Sequence, residues 1–227
     1  MDTKRIKVIG LGGIGTYLVE PLCRYLSNKT DYIEMTLVDG DAYEDRNRAR
    51  QQFTEKGNKA TVTAATLREK FPEIHFAAKP QYVTDDNVIS LVREDDVVFL
   101  CVDNHATRKV ISDRCEELEN VTLISGGNDT IDGNVIYYRR RNGVDVTKPP
   151  TKLDPAIATP TDTNPGVDRQ GCEAQANSTP QILFTNLAIA SCMCNVYYAH
   201  ENGKADFEQV YVDISTQRSK PSPERYE

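Results

Sequence analysis

Residues 8–22 read VIGLGGIGTYLVEPL and place four glycines between an apolar run and an amphipathic run. Gly10, Gly12 and Gly15 form the pattern G-x-G-x-x-G, with Gly13 inside it, which is typical of a strand, a tight turn and a helix around a phosphate group. Glycines let the backbone approach the phosphate, and the helix N-terminus supplies N–H groups and positive partial charge. The stretch predicts a nucleotide site but leaves the nucleotide open, because NAD, FAD, SAM and ATP are all bound by turns of this kind.

Strand-like and helix-like segments alternate up to about residue 127. Residues 5–10 (RIKVIG) form a short apolar run, and residues 14–26 place a leucine on one helical face at every fourth position. This alternation predicts a Rossmann-like α/β fold, with a mainly parallel sheet and helices on both faces. Residues 133–143 (GNVIYYRRRNG) predict an antiparallel extension after residue 130.

The domain organisation predicted from the chain is simple. Residues 1–217 are expected to form a single domain, and residues 218–227 a flexible tail. Residues 142–171 contain five prolines and predict a long loop. Loops of that length are either functional or unstructured, so this one is either a crossover segment that guides a substrate or a disordered insertion.

Composition limits the class of protein. The 227 residues carry a net charge of −7, which argues against nucleic acid as the main partner. There is no apolar run of about 18 residues, so no membrane span is expected. The six cysteines form no CxxC pair, and the amino terminus has no apolar leader. Reduced thiols and a cytoplasmic location are therefore expected.

Asp39 ends the second predicted strand, where a carboxylate can accept hydrogen bonds from ribose hydroxyls. Ligands of such sheets bind at the carboxyl ends of the strands, where Gly10, Asp39 and Asp103 are expected to meet. Taken alone, the glycine turn and Asp39 favour an NAD or FAD enzyme.

Residues 37–53 (LVDGDAYEDRNRARQQF) change that interpretation. Asn47 and Arg50 follow Asp39 closely, Lys59 comes soon after, and Asp103 ends a later strand. Together they provide an acid for ribose, two cations for phosphates and a second acid suited to Mg²⁺. A nucleoside triphosphate needs such surroundings, because several negative charges must be neutralised at once.

In these residues the chain resembles the ThiF/MoeB/E1 superfamily, the activating enzymes of ubiquitin-like and sulfur-carrier proteins. The resemblance covers residues 5–127. The matching residues are Gly10-x-Gly12-Gly13-x-Gly15, Leu37-Val38-Asp39-x-Asp41, Asn47-x-x-Arg50-Gln51, Lys59 and Cys101-x-Asp103-Asn104-x-x-x-Arg108.

The resemblance implies that ATP and Mg²⁺ are used to adenylate the C-terminal glycine carboxylate of a small carrier protein, and that the chain forms a homodimer. Asp39 is then expected to bind the ribose, Arg50 and Lys59 the phosphates, and Asp103 the Mg²⁺. The nucleotide-binding set implied in this way is Gly10, Gly12, Gly13, Gly15, Asp39, Asp41, Asn47, Arg50, Lys59, Asp103 and Asn104.

Cys172, in VDRQGCEAQANSTPQ, follows the proline-rich loop and precedes a predicted helix. Some relatives carry a catalytic cysteine in this part of the chain, so Cys172 joins Arg50, Lys59 and Asp103 as a candidate catalytic residue. The alternative is an ordinary loop thiol, because thiolate chemistry depends on surroundings that a sequence does not show.

Three other functions stay open at this point. One is ATP-dependent activation of a small-molecule or tRNA nucleoside carboxylate, and another is an NAD(P)-dependent oxidoreductase. The third is a non-catalytic subunit of a heterodimer, against which the set of Asp39, Arg50, Lys59 and Asp103 argues.

Overall fold

A computed structural model describes residues 3–29, 32–48, 51–53, 55–164 and 183–222 of the chain. Its strands are β1 Thr3–Ile9, β2 Tyr32–Val38, β3 Ala42–Tyr43, β4 Gly57–Asn58, β5 Ile74–Lys79, β6 Asp96–Leu100, β7 Val121–Asn128, β8 Asp132–Arg141, β9 Val144–Asp145, β10 Gln209–Asp213 and β11 Arg218–Ser222. Its helices are α1 Gly15–Leu26, α2 Lys59–Lys70, α3 Val88–Leu91, α4 His105–Glu117, α5 Pro150–Leu153, α6 Pro155–Ala158 and α7 Leu183–Glu201, with a short 3₁₀ turn at Asp45–Asn47.

The main sheet confirms the predicted architecture. Its strands lie in the order β11-β10-β8-β7-β6-β1-β2-β5, and β9 pairs with β8 at one end. The strands from β7 through β6, β1 and β2 to β5 pair in parallel. By contrast, β8 runs antiparallel to both β7 and β10, which is the extension expected after residue 130.

Apolar side chains alternate between the two faces of the sheet, so each face has its own core. Val8 packs in a cluster with α1, α2 and α7, whereas Ile9 packs in a second cluster with α3 and α4. The leucines of α1 are fully buried in the first cluster, as their spacing predicted. Helices on both faces are therefore confirmed. No helix among the described residues is both long enough and apolar enough to span a bilayer.

The proline-rich segment differs from the long loop that was predicted. Its described part, residues 142–164, contains β9, α5 and α6, and both short helices begin at a proline. Ile157 is fully buried, and Asn164 Nδ2 donates to the carbonyl of Val83 at 2.9 Å. This part is packed on the domain, while residues 165–171 lie outside the described residues.

The predicted flexible tail begins instead with a strand. Residues 218–222 pair antiparallel with β10, with Tyr211 opposite Lys220. The chain reverses in a turn where Asp213 Oδ1 accepts from the backbone N–H groups of Ser215 at 2.8 Å and Thr216 at 3.1 Å. Residues 223–227 lie outside the described residues.

Candidate active site

The turn between β1 and α1 requires glycine at two positions. Gly10 has a φ of +90°, and a Cβ there would lie 2.9 Å from the backbone of Cys101 and Val102. A Cβ on Gly15 would strike the carbonyl oxygen of Gly10. The first and last glycines of the motif therefore fix the packing of β1 against β6 and α1.

The two central glycines differ from each other. A Cβ on Gly12 would have only Gln51 within reach, with Nε2 at 4.0 Å, whereas a Cβ on Gly13 would lie 2.5 Å from Nδ2 of Asn186. Gly12 is thus the open side of the turn. The helix that follows begins after Ile14, whose side chain has no polar atom to cap it. The start of α1 can therefore accept a ligand's negative charge.

Asp39 braces this turn from the end of β2. Its Oδ2 accepts from the backbone N–H of Leu11 at 2.6 Å, and its Oδ1 accepts from the N–H of Asp41 at 2.8 Å. Burial raises the pKa of Asp39, and the nearby charge of Lys59 opposes that rise. A carboxylate has about four acceptor sites, so Asp39 can still accept from ribose hydroxyls while it holds the turn.

Lys59 is the buried cation of the site. Its side chain is only 8% exposed at the start of α2, and Nζ lies 3.1 Å from Oδ2 of Asp41. The other oxygen of Asp41 accepts from the Tyr82 hydroxyl. Burial alone would lower the pKa of Lys59, but the charges of Asp39 and Asp41 outweigh it and raise the pKa. Lys59 is therefore a fixed positive charge beside the glycine turn.

Asn58 was missed as a site residue although it organises these groups. Its Oδ1 caps α2 by accepting from Thr61 N–H at 3.1 Å, and its Nδ2 donates to the carbonyls of Asp39 at 2.9 Å and Asp41 at 3.0 Å. The signal was an asparagine just before a helix, the usual N-cap residue.

Asn47 shapes the segment that precedes Arg50. Its Oδ1 accepts from the N–H of Glu44 at 2.9 Å, and its carbonyl accepts from Gln51 N–H at 2.9 Å. The carbonyl of Gln52 accepts from the Thr16 hydroxyl at 2.5 Å, which ties this segment to the first turn of α1. Arg50 itself lies outside the described residues, so its phosphate role stays a prediction.

Asp103 and Asn104 follow β6 at the same edge of the sheet. Asp103 is exposed and makes no hydrogen bond or ion pair within the described part of the chain. Asn104 caps α4, where its Oδ1 accepts from Thr107 N–H at 2.7 Å. Asp103 is therefore available to a ligand, while the Oδ1 of Asn104 is used in capping α4.

A carboxylate from the proline-rich segment reaches this edge. Asp162 accepts from the backbone N–H groups of His105 at 2.7 Å and Ala106 at 2.9 Å, at the start of α4. Among the described residues, no group of three or more His, Cys, Asp and Glu side chains could hold a metal ion. A Mg²⁺ ion on Asp103 would thus take its other ligands from phosphate oxygens and water, as Mg²⁺ commonly does.

Arg108 has a structural role that its place in the motif did not reveal. Its guanidinium donates to the carbonyls of Val102 at 2.7 Å and Gly126 at 2.8 Å. These carbonyls lie just beyond β6 and inside β7, so the side chain joins the two parallel strands. Burial lowers the pKa of Arg108, and Asp103 is the largest of the charges that oppose the change.

The thiols among the described residues are poor nucleophiles. All five of them are free: Cys23, Cys101, Cys115, Cys192 and Cys194. Burial raises the pKa of Cys23 to about 12 and that of Cys192 and Cys194 to about 11. These groups are therefore protonated at neutral pH. Cys172 lies outside the described residues.

Comparison with known families gives a match over most of the chain. The sequence model of the ThiF family matches residues 1–208. Curated relatives include the mouse (Mus musculus) "adenylyltransferase and sulfurtransferase MOCS3", 32% identical over 142 residues, which cover 61% of this chain and 30% of the mouse protein. The protein of the same name from Dictyostelium discoideum is 28% identical over 61% of this chain. The alignments span about a third of these relatives.

Solved structures share the fold. The microcin C7 biosynthetic enzyme MccB in complex with N-formylated MccA has a TM-score of 0.75 and 16% identity, over 96% of this chain and 64% of that one. E. coli MccB with ATP has a TM-score of 0.72 and 15% identity, over 96% of this chain and 63% of that one. At such identities the likeness establishes the fold alone.

Proposed function

Because this chain belongs to the ThiF family, we propose that it adenylates the C-terminal glycine carboxylate of a small ubiquitin-like or sulfur-carrier protein, with ATP and Mg²⁺. The observation that carries the proposal is that the carboxylate of Asp39 holds the glycine turn and interacts with the charge of Lys59. Gly10 of the same turn packs against the backbone of Cys101 and Val102, at the strand end that Asp103 follows. The names of the curated relatives and the ATP complex of MccB support it.

The residues fit a triphosphate nucleotide with its metal ion. Asp39 accepts from the ribose hydroxyls, and the start of α1 beside Gly12 receives the phosphates. Lys59, now paired with Asp41 at 3.1 Å, exchanges that carboxylate for phosphate oxygens. Asp103 holds Mg²⁺, which neutralises phosphate charge when bound.

In the proposed reaction the substrate carboxylate oxygen attacks the α-phosphorus of ATP. The bond to the bridging oxygen breaks, and pyrophosphate leaves with that electron pair. No proton moves, so the protein has to position the reactants and neutralise charge. We assign to Lys59 and Arg50 the role of stabilising the negative charge that develops on the phosphates. Asn47 shapes the segment that carries Arg50.

Transfer of the acyl group to a thiol is a separate proposal, with Cys172 as acceptor. The five cysteines of the described residues are buried or partly buried with raised pKa values, which makes them unsuitable. In this step the Cys172 thiol would lose its proton and attack the acyl carbonyl of the adenylate, and AMP would leave as a thioester forms. A C172A variant is expected to keep adenylation and to lose the thioester, as detected by intact mass with and without a thiol reductant.

We also propose a homodimer in the cytoplasm. Phe184, Leu187 and Tyr198 lie exposed on α7, and a groove of about 560 Å³ lies along α1 with Leu187 at its border. An exposed apolar surface of this kind suits a protein interface. Light scattering would measure the mass in solution, and a monomer at micromolar concentration would refute the dimer.

ATP–pyrophosphate exchange tests the main proposal. We expect exchange that needs Mg²⁺ and a carrier ending in Gly-Gly, and that disappears in D103A and K59A. Exchange with a small carboxylic acid or tRNA in place of the carrier would instead favour the other activation reactions. Binding of NADH without ATP would identify an oxidoreductase and refute adenylation.

A further inference from the structure

Asn186 is a buried amide whose side chain has no hydrogen-bond partner among the described residues. It is fully buried and lies in the first turn of α7, which begins at Leu183. Neither its Oδ1 nor its Nδ2 makes a hydrogen bond within the described part of the chain. Its neighbour Thr185 is equally buried, but the hydroxyl donates to the carbonyl of Thr130 at 2.7 Å. The fold thus satisfies one polar side chain here and leaves the next one unsatisfied.

The position of this amide is specific. It packs on Gly13, where a Cβ would lie 2.5 Å from Nδ2 and 2.8 Å from Oδ1. The absence of a side chain at Gly13 is what makes room for it. The amide therefore borders the glycine turn that the proposed function assigns to the phosphates.

A second unsatisfied amide borders the same turn. Gln51 is 7% exposed, its Oε1 has no partner in the part of the chain that is described, and its Nε2 is the atom nearest to a Cβ built on Gly12. Two buried amides with unused hydrogen-bonding atoms thus flank two successive glycines. Leaving such groups unpaired costs their full desolvation, so their presence in a folded protein calls for an explanation, and a ligand that completes their hydrogen bonds is one.

Resting on the proposed function, we propose that Asn186 binds an anionic oxygen seated at the glycine turn, either a phosphoryl oxygen of ATP or the carboxylate oxygen of the acyl substrate. Its Nδ2 is the donor, while Oδ1 and the Oε1 of Gln51 are acceptors for N–H or O–H groups of the same ligand. A neutral amide orients the oxygen without neutralising the charge that Lys59 must attract.

The substitution N186L separates this inference from a purely structural role. Leucine has nearly the same size and removes two unsatisfied polar atoms, so it is expected to keep or raise the Tm of the unliganded protein. We expect at least a tenfold loss in ligand binding at the same time. The matched control is N195L, which replaces an exposed asparagine on the same helix. Its Tm and its ligand binding are expected to stay near those of the parent.

Two measurements distinguish the sources of the oxygen. A tenfold rise in the Kd of ATP·Mg²⁺, measured by calorimetry without carrier, identifies a phosphoryl oxygen. An unchanged Kd with a tenfold rise in the KM of the carrier in pyrophosphate exchange identifies the carboxylate. If N186L does not fold, N186A and N195A replace the pair in the same assays.

If N186L changes both the Kd of ATP·Mg²⁺ and the KM of the carrier by less than twofold, the inference is overturned and the proposed function is left intact. A parent protein that binds neither ATP nor AMP would overturn both together.

Discussion

Acidification is expected to destabilise this protein through one histidine near the end of α7. The hydroxyl of Tyr137 lies 2.8 Å from Nδ1 of His200. Burial lowers the pKa of His200 from 6.5 to about 4, and the positive charge of Arg139 adds to that effect. The folded protein therefore keeps this ring neutral at a pH where the unfolded chain protonates it.

The sign and size of the effect follow from the two pKa values. Between them the unfolded state binds more protons than the native state, so the free energy of unfolding falls as the pH falls below 6.5. With a folded pKa of about 4, the loss in the free energy of unfolding is roughly 2 kcal/mol at pH 5 and approaches about 3 kcal/mol below pH 4. Above pH 7 the histidine contributes no pH dependence.

Urea unfolding of the parent and of H200Q at pH 7 and pH 5 measures this loss. Glutamine retains an acceptor for Tyr137 and does not titrate, so carboxyl groups that titrate in both proteins cancel in the comparison. The parent is expected to lose about 2 kcal/mol more than H200Q, whereas H75Q, at an exposed histidine of β5, behaves as the parent. Parallel losses in parent and H200Q would refute the buried neutral histidine.

Three further predictions concern the site. G10A places a Cβ against the backbone at a φ of +90° and is expected to lower the free energy of unfolding by more than about 1 kcal/mol. G12A places its Cβ in open space, so it should keep the Tm of the parent and weaken nucleotide binding. Equal Tm values for the two variants would contradict this expectation. D103N should leave the urea midpoint unchanged and abolish Mg²⁺-dependent exchange, so residual Mg²⁺-dependent activity counts against the metal role. N58A removes the cap of α2 and should cost about 1 kcal/mol, measured by thermal unfolding; an unchanged Tm would show that the cap is dispensable.

The β1–turn–α1 unit could be predicted because its determinants are local. The apolar run, the glycines and the leucine spacing all lie within one short stretch, and Asp39 and Asp103 follow directly from the rule that strand ends meet at one edge. Strand β11 could not be predicted in this way. Its residues RSKPS are mostly polar and include Pro221, and such a sequence forms a strand only at an edge, beside a partner supplied by the turn at Asp213.

The rest of the site depends on tertiary contacts. Asn186 reaches Gly13 from a helix far along the chain, and Asp162 reaches α4 from the proline-rich segment. Neither stretch of sequence contains a pattern from which its contact with Gly13 or with α4 could be predicted. Asn58 and Asn104 did carry a local signal as helix caps. The family resemblance implies that Asn104 binds the nucleotide, which stays a prediction, and the structure adds that its Oδ1 caps α4.

The carboxylate of Asp162 at the start of α4 also bears on where a bound anion can settle. Helices α1 and α4 follow strands β1 and β6 of the main sheet, α2 follows β4 of the two-stranded sheet that β4 forms with β3, and each helix presents a positive end. Asparagines cap α2 and α4, and α4 carries an internal anion as well. At α4 the carboxylate of Asp162 already occupies the N–H groups that a phosphate would bind, whereas the start of α1 carries no side-chain cap. An incoming phosphate is therefore directed to α1 rather than to α4, before it contacts Lys59.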